Sequence, residues 1–243
     1  MITKEILDPI RRNLESIQHK IQISLQNSPR PQRPITLVAV TKYYSPLAIQ
    51  ALLEIGHEDI GESYVLKGIQ KARQIIGSPR WHLIGHLQRN KVNKALPFYQ
   101  LIHSLDSARL ATKINQTAQR LGRPADCLLQ LNLSGETTKF GLPPSELDSV
   151  LELSNQLPYL RILGLMTIAP HTEDRKKIRS TFQQLYRIQQ AYQKDFPLLQ
   201  HLSMGMSSDY PIAIEEGATI IRVGKAIFQG IPANRIQNKE SER

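Results

Sequence analysis

A chain of 243 residues, 40% hydrophobic and 21% charged, can bury a sizeable core and has the composition of an ordinary globular protein. No apolar run approaches the roughly 20 residues of a membrane span, MITKEILDPIRR lacks the apolar centre of a secretory signal, and the lone Cys127 forbids an internal disulfide, so a cytoplasmic protein is expected. The net charge of +10 points to an anionic partner, either nucleic acid or a small ligand such as a phosphate ester.

Ile10, Leu14, Ile17, Ile21 and Leu25 recur at steps of three and four and predict one face of an amino-terminal helix. Asp8 and Pro9 suit its N-cap and first position, with an earlier start as the alternative. Ser28 to Pro34, SPRPQRP, holds too much proline for helix or sheet and reads as an extended connector. Strand-like runs then follow at Thr36–Thr41, Asp59–Gly61, Trp81–Gly85, Leu101–Ser104, Cys127–Leu133, Ile162–Ile168, His201–Gly205 and Thr219–Val223. Amphipathic helical stretches separate most of them, among them Pro46–Ile55 and Arg179–Phe196. Alternation of this kind implies parallel strands with helical crossovers. Eight units predict an α/β fold, a (β/α)8 TIM barrel with an extra N-terminal helix, for which about 250 residues is typical. An open doubly wound sheet is the rival. Residues 1–34 would pack on the barrel, 35–231 would form it, and the polar stretch 232–243 reads as a mobile tail.

Function in such a barrel sits at the carboxyl ends of strands. Lys42 is at the end of the first, on the face of Val38 and Val40. An amine rooted among apolar neighbours loses hydration, and the neutral amine is the form that adds to an aldehyde. The alternative is a lysine that merely reaches to the rim. LSMGMSSD, Leu202 to Asp209, and RVGKAIFQG, Arg222 to Gly230, follow strands seven and eight, where barrels often bind phosphate. Gly205 and Gly224 let backbone approach a ligand, Ser207 and Ser208 offer hydroxyls, and the helix expected at Asp209–Gly217 would put its positive end beside them. Barrel closure makes Gly224 and Lys42 neighbours. A phosphate-bearing aldehyde held by a lysine describes pyridoxal 5′-phosphate (PLP). Arg222 facing the pyridine nitrogen would keep that nitrogen unprotonated; an ordinary ion pair is the other use for it.

VAVTK at Val38–Lys42, IGESYV at Ile60–Val65, WHLIGHLQRNK at Trp81–Lys91, LNLSGETTKFGL at Leu131–Leu142, GLMTIAP at Gly164–Pro170, LSMGMSSD and IRVGKAIF occur in that order. In these motifs, from Val38 to Gly230, the chain resembles the pyridoxal phosphate homeostasis proteins, the YggS or PROSC family. The resemblance implies a barrel like the N-terminal domain of alanine racemase with the cofactor at its mouth. It matches Lys42 to the Schiff-base lysine, Ser207 and Gly224 to phosphate-binding positions, and Arg222 to the arginine at the ring nitrogen. It places Ser203 and Met204 near ring or phosphate and points His82 towards the pocket. Ser63 stands where the family usually has asparagine, and the shorter side chain puts a direct contact there in doubt. The chain ends soon after Gly230, without the second domain that completes alanine racemase across a dimer. A monomeric carrier is therefore expected, one that keeps PLP homeostasis, supplies apo-enzymes and affects amino-acid and keto-acid balance.

Two rivals stay open. A weakly active PLP-dependent amino-acid racemase is the enzymatic one. Nucleic-acid binding is the other, on the basic stretches Arg89, Lys91, Lys94 and Arg175, Lys176, Lys177, Arg179, although no aromatics interleave with them. His82 and His86 flank a strand-to-loop junction with no carboxylate to complete a zinc set, so no metal is expected. The loop Ser134 to Gly141 could help cover the cofactor, and Tyr43 and Tyr44 could pack on the ring or shield the rim.

Overall fold

The computed structural model describes residues 2–133 and 140–237. Helix α1 (Lys4–Gln26) precedes eight parallel strands: β1 (Thr36–Val40), β2 (Asp59–Glu62), β3 (Arg80–Leu83), β4 (Leu101–Leu105), β5 (Ala125–Gln130), β6 (Leu160–Met166), β7 (His201–Ser203) and β8 (Ile220–Val223). Helices α2 (Pro46–Glu54), α3 (Val65–Ala72), α4 (Val92–Ala95), α5 (Ala108–Arg120), α6 (Leu147–Ser154), α7 (Arg175–Tyr192) and α8 (Tyr210–Glu215) alternate with them, and α9 (Ala233–Ile236) follows β8. The strands pair in chain order and close, with Val38 opposite Arg222 across the β1–β8 seam. Closure decides for the (β/α)8 barrel and against the open sheet.

The apolar runs form these strands because alternate residues face two different interiors. Ala39, Ile60, Leu83 and Val223 join Leu52, Phe182 and Leu185 of the helices in the main core. Val38, Leu128, Met166 and Ile220 form a separate small cluster, which strand alternation places inside the barrel. Among the described residues, no helix is long and apolar enough to cross a membrane.

Three expected boundaries shift for physical reasons. Helix α1 begins at Lys4, so Pro9 lies inside it. Burial of both Ile6 and Ile10 favours the added turn, and a proline this early removes only one ladder bond. Helix α7 begins at Arg175, because the Asp174 carboxylate accepts from the amides of Lys176 and Lys177 at 2.9 and 3.3 Å. The tail expected to be mobile from Pro232 is docked as far as Gln237. Ile236 is 1% exposed, its carbonyl accepts from the Ser45 amide at 2.7 Å, and Gln237 bridges to Tyr44. Residues 238–243, and most of the expected cover loop at 134–139, lie outside the described residues.

The amino-terminal segment is tied to the barrel. Asn13 donates to the carbonyls of Ile227 and Gln229, both at 2.9 Å. Along the connector, Ser28 donates to the Glu215 carbonyl at 2.8 Å and Arg33 to the Gln200 carbonyl at 3.0 Å.

Candidate functional site

Lys42 emerges in the turn after β1 and is half-buried, its Nζ 4.9 Å from the centre of the exposed Tyr43 ring. The peptide that roots it is clamped from behind. Lys71 Nζ, on α3, donates to the Thr41 carbonyl at 2.7 Å and to Glu62 Oε1 at 2.6 Å, and Thr41 Oγ1 donates to the same oxygen at 2.7 Å. Glu62, at the end of β2, is fully buried, and Lys71 is nearly so. Burial lowers the proton affinity of Lys71 while the Glu62 carboxylate opposes the shift. Tyr44 packs on Phe228, ring centres 3.9 Å apart.

Opposite Lys42, the loops after β7 and β8 build a cradle from backbone. Gly205 takes φ +92°, and a Cβ there would lie 2.6 Å from Ala213 Cβ and 2.9 Å from Tyr210 Cα. Only glycine lets this loop fold so tightly on α8. The Met206 amide donates to Asp209 Oδ1 at 2.5 Å. Ser207 Oγ accepts from the Gly224 amide at 3.3 Å and lies 3.5 Å from the Ala226 amide, joining the two loops. A Cβ on Gly224 would sit 2.9 Å from the Val40 carbonyl, so the seam of the barrel tolerates no side chain here. The expected helix shrinks to the six residues of α8, and Ser207 meets the amides of the β8 loop instead.

Arg222, on β8, is 4% exposed. Its Nη1 donates to Ser203 Oγ at 2.6 Å and its Nη2 to the Thr167 carbonyl at 3.0 Å. Burial pulls its pKa down to about 10, with the Asp209 carboxylate opposing. Desolvation without a carboxylate partner leaves a strong donor aimed into the barrel mouth.

Lys42, Ser63, Ser207, Arg222 and Gly224 line one cavity of about 500 Å³, walled by Tyr43, Tyr44, Ile84, Ile168 and Met206. A second cavity of about 570 Å³ adjoins it, sharing Lys42 and Ser63 and reaching Lys67, Lys91 and Phe140. Three predicted residues lie elsewhere. Met204 is fully buried in the main core, where alternation from the inward-facing Ser203 turns it, and it is Met206, beyond Gly205, that lines the cavity. Ser203 lies inside the barrel beneath Arg222. His82 does not line the cavity: its Nδ1 meets His103 Nε2 at 3.0 Å and its Nε2 meets Asp59 Oδ1 at 3.1 Å. Of the second basic stretch, Arg179 is spent on Glu215 and Glu216, both at 2.5 Å.

Sequence reasoning missed the Glu62–Lys71 clamp. The available signal was an acidic residue closing a buried strand and a lysine on the inward face of the next helix. It also missed the walls Ile84 and Ile168, which read only as strand residues.

A closed parallel barrel with a lysine just after its first strand and glycine-serine loops after its last two has the architecture of the alanine racemase N-terminal domain class. The family model of that description matches residues 12–232. The pyridoxal phosphate homeostasis protein of Aquifex aeolicus is 36% identical, over 88% of this chain and 95% of its own length. That of Vibrio cholerae is 34% identical, over 90% and 95%. Among solved structures, PipY of Synechococcus elongatus PCC7942 without PLP superposes with a TM-score of 0.82 at 35% identity, covering 90% of this chain and 99% of that chain. PipY with PLP bound gives 0.80 at 34% identity and the same coverage. The chain belongs to the pyridoxal phosphate homeostasis protein family.

Proposed function

We propose that this chain binds pyridoxal 5′-phosphate, holds it as a Schiff base on Lys42, and serves PLP homeostasis as a monomeric cytoplasmic carrier that supplies apo-enzymes. The observation that carries this reading is the single cavity lined by Lys42, Arg222, Ser207 and Gly224. The residues fit the cofactor: a primary amine on one wall, a glycine-lined backbone cradle on the other, and a buried guanidinium between them. The PLP-bound form of PipY supports the same ligand. Bound here, the cofactor would supply an electrophilic aldehyde and an aromatic ring able to accept electron density.

Each residue then has a task. Lys42 offers the nucleophilic nitrogen. Ser207 and the Gly224 amide receive the phosphate through their dipoles, with Lys225 lining the same cavity beside them. Arg222, held by Ser203 and the Thr167 carbonyl, can only donate to the ring nitrogen, which weakens the ring as an electron sink. That weakness suits a carrier better than a racemase, and the curated relatives are named for homeostasis rather than for a reaction. Ser63 lines the cavity as a short wall residue in the place where the family resemblance leads one to expect asparagine.

Titration with PLP tests the proposal. The unsubstituted protein should gain a visible band that saturates at one equivalent, and Lys42→Ala should not. Full absorbance in Lys42→Ala would remove this lysine from the account.

A further inference from the structure

Beneath Arg222, four side chains cross the barrel in a single file. Arg222 Nη1 reaches Ser203 Oγ at 2.6 Å, and that oxygen reaches His103 Nδ1 at 2.9 Å. His103 Nε2 reaches His82 Nδ1 at 3.0 Å, and His82 Nε2 reaches Asp59 Oδ1 at 3.1 Å. The file starts at the mouth and ends at the first residue of β2, on the opposite face. Ser203 and His103 are fully buried and His82 is 6% exposed. Arg80 closes the far end, donating from Nε and Nη2 to the two Asp59 oxygens at 2.8 and 2.7 Å.

The chemistry of the two ends fixes the direction of every bond. A guanidinium only donates, so Ser203 Oγ accepts from Arg222. Its own hydrogen then goes to His103 Nδ1. His103 therefore carries its hydrogen on Nε2 and donates to His82 Nδ1, and His82 carries its hydrogen on Nε2 and donates to the Asp59 carboxylate. The opposite polarity would give Ser203 Oγ two donors and leave its buried hydrogen without an acceptor in the file, an arrangement that costs free energy.

We propose that His103 and His82 are positioning residues: as neutral Nε2–H tautomers they lock the Ser203 hydroxyl with its lone pair towards Arg222, and so set the guanidinium plane that faces the bound ligand. A serine hydroxyl otherwise rotates freely. Here its rotation is fixed by a chain whose last member is an anion, and each bond polarises the next, which makes Ser203 Oγ a better acceptor. Burial, with the neighbouring His82, Arg222 and His201, keeps His103 well below the usual histidine value, which agrees with a neutral ring. The charged groups facing the file are Arg222 and, beyond it, Asp209 at the mouth, and Asp59 with Arg80 at the foot. The role towards the ligand rests on the PLP reading above; the tautomers do not.

The test has two arms. In the first, histidine ¹⁵N resonances of the full chain without ligand should show His82 and His103 as neutral Nε2–H tautomers at pH 7, and Ser203→Ala should move the His103 Nδ1 resonance. An imidazolium at His82 or an Nδ1–H tautomer at His103 overturns the relay. In the second, His103→Leu, which neither donates nor accepts, should weaken half-saturation by PLP several-fold, up to about tenfold, the range of one neutral hydrogen bond. His103→Gln, which does both, should recover most of it. Equal affinities for Leu, Gln and His overturn the positioning role. If His103→Leu does not fold, the tautomers of the unsubstituted chain decide. If the unsubstituted protein takes up no PLP, the proposed function fails while the first arm still reads the relay.

Discussion

Lys42 stands on a peptide clamped by side chains, whereas the cradle across the cavity is made almost entirely of backbone. Behind Lys42, a buried lysine and glutamate share one carbonyl and one hydroxyl of Thr41. Across from it, Gly205 and Gly224 create the shape by having no side chain, and Ser207 ties their loops together. On the proposed function, the difference follows from what each wall would hold. A reactive amine needs one fixed origin in a site that water also reaches, which a desolvated ion pair behind the strand can provide. A phosphate needs several amides at once, which only a bent backbone can bring together. Electrostatics therefore sets one wall and conformational freedom the other.

Substitutions should separate the two, beginning with the clamp. Glu62→Ala leaves the Lys71 ammonium buried without its partner and should cost roughly 3–5 kcal/mol in urea unfolding. Adding Lys71→Met should return most of that stability, because removing both charges restores an apolar site. Failure of the second change to rescue the first would mean that the pair is not a closed unit. Gly205→Ala comes next. Its positive φ and the close approach of Tyr210 should cost about 1–3 kcal/mol, with phosphate affinity falling alongside stability. Ser207→Ala removes one acceptor from the Gly224 amide and should cost about 1 kcal/mol, visible as weaker binding of inorganic phosphate with the fold intact.

The smallest expected effect lies at the foot of the barrel. Burial alone would raise the Asp59 carboxyl, but hydrogen bonds from Arg80 and His82 prevail and hold it well below its ordinary value of 3.8. A carboxyl depressed in the folded state stabilises above its unfolded value, and that contribution disappears as pH falls through the folded one. Asp59→Asn should therefore lower stability slightly at pH 7 and flatten the acid limb below about pH 4. Solvent around the half-exposed Arg80 keeps the effect small.

Much of this architecture is legible in the sequence, and the illegible parts have common causes. Thr36–Val40 shows as a strand because its residues face apolar surroundings on both sides, and Lys42, Ser207, Arg222 and Gly224 follow from their place at strand ends. Met204 misleads because the family resemblance sets it near ring or phosphate, whereas alternation from the inward Ser203 turns it into the main core. His82 misleads because an inward-facing residue one layer below the mouth has the same parity as one that lines it; its partner His103 lies on β4 and can be seen only once the barrel closes. The Glu62–Lys71 clamp joins a strand end to the next helix; the pattern marks each charge as facing inward, but only the folded crossover brings the two together. The docking of Ile236 escapes notice for a similar reason: one apolar residue in a polar tail gives no periodicity.

The central claim is that Lys42 is the residue that takes the cofactor, in the cavity completed by the β7 and β8 loops. Borohydride reduction of the PLP-loaded protein, followed by peptide mass mapping, tests it most directly. The account predicts one phosphopyridoxyl group per chain, on the peptide containing Lys42. A label on Lys67, Lys91 or Lys225, with Lys42 unmodified, would contradict it.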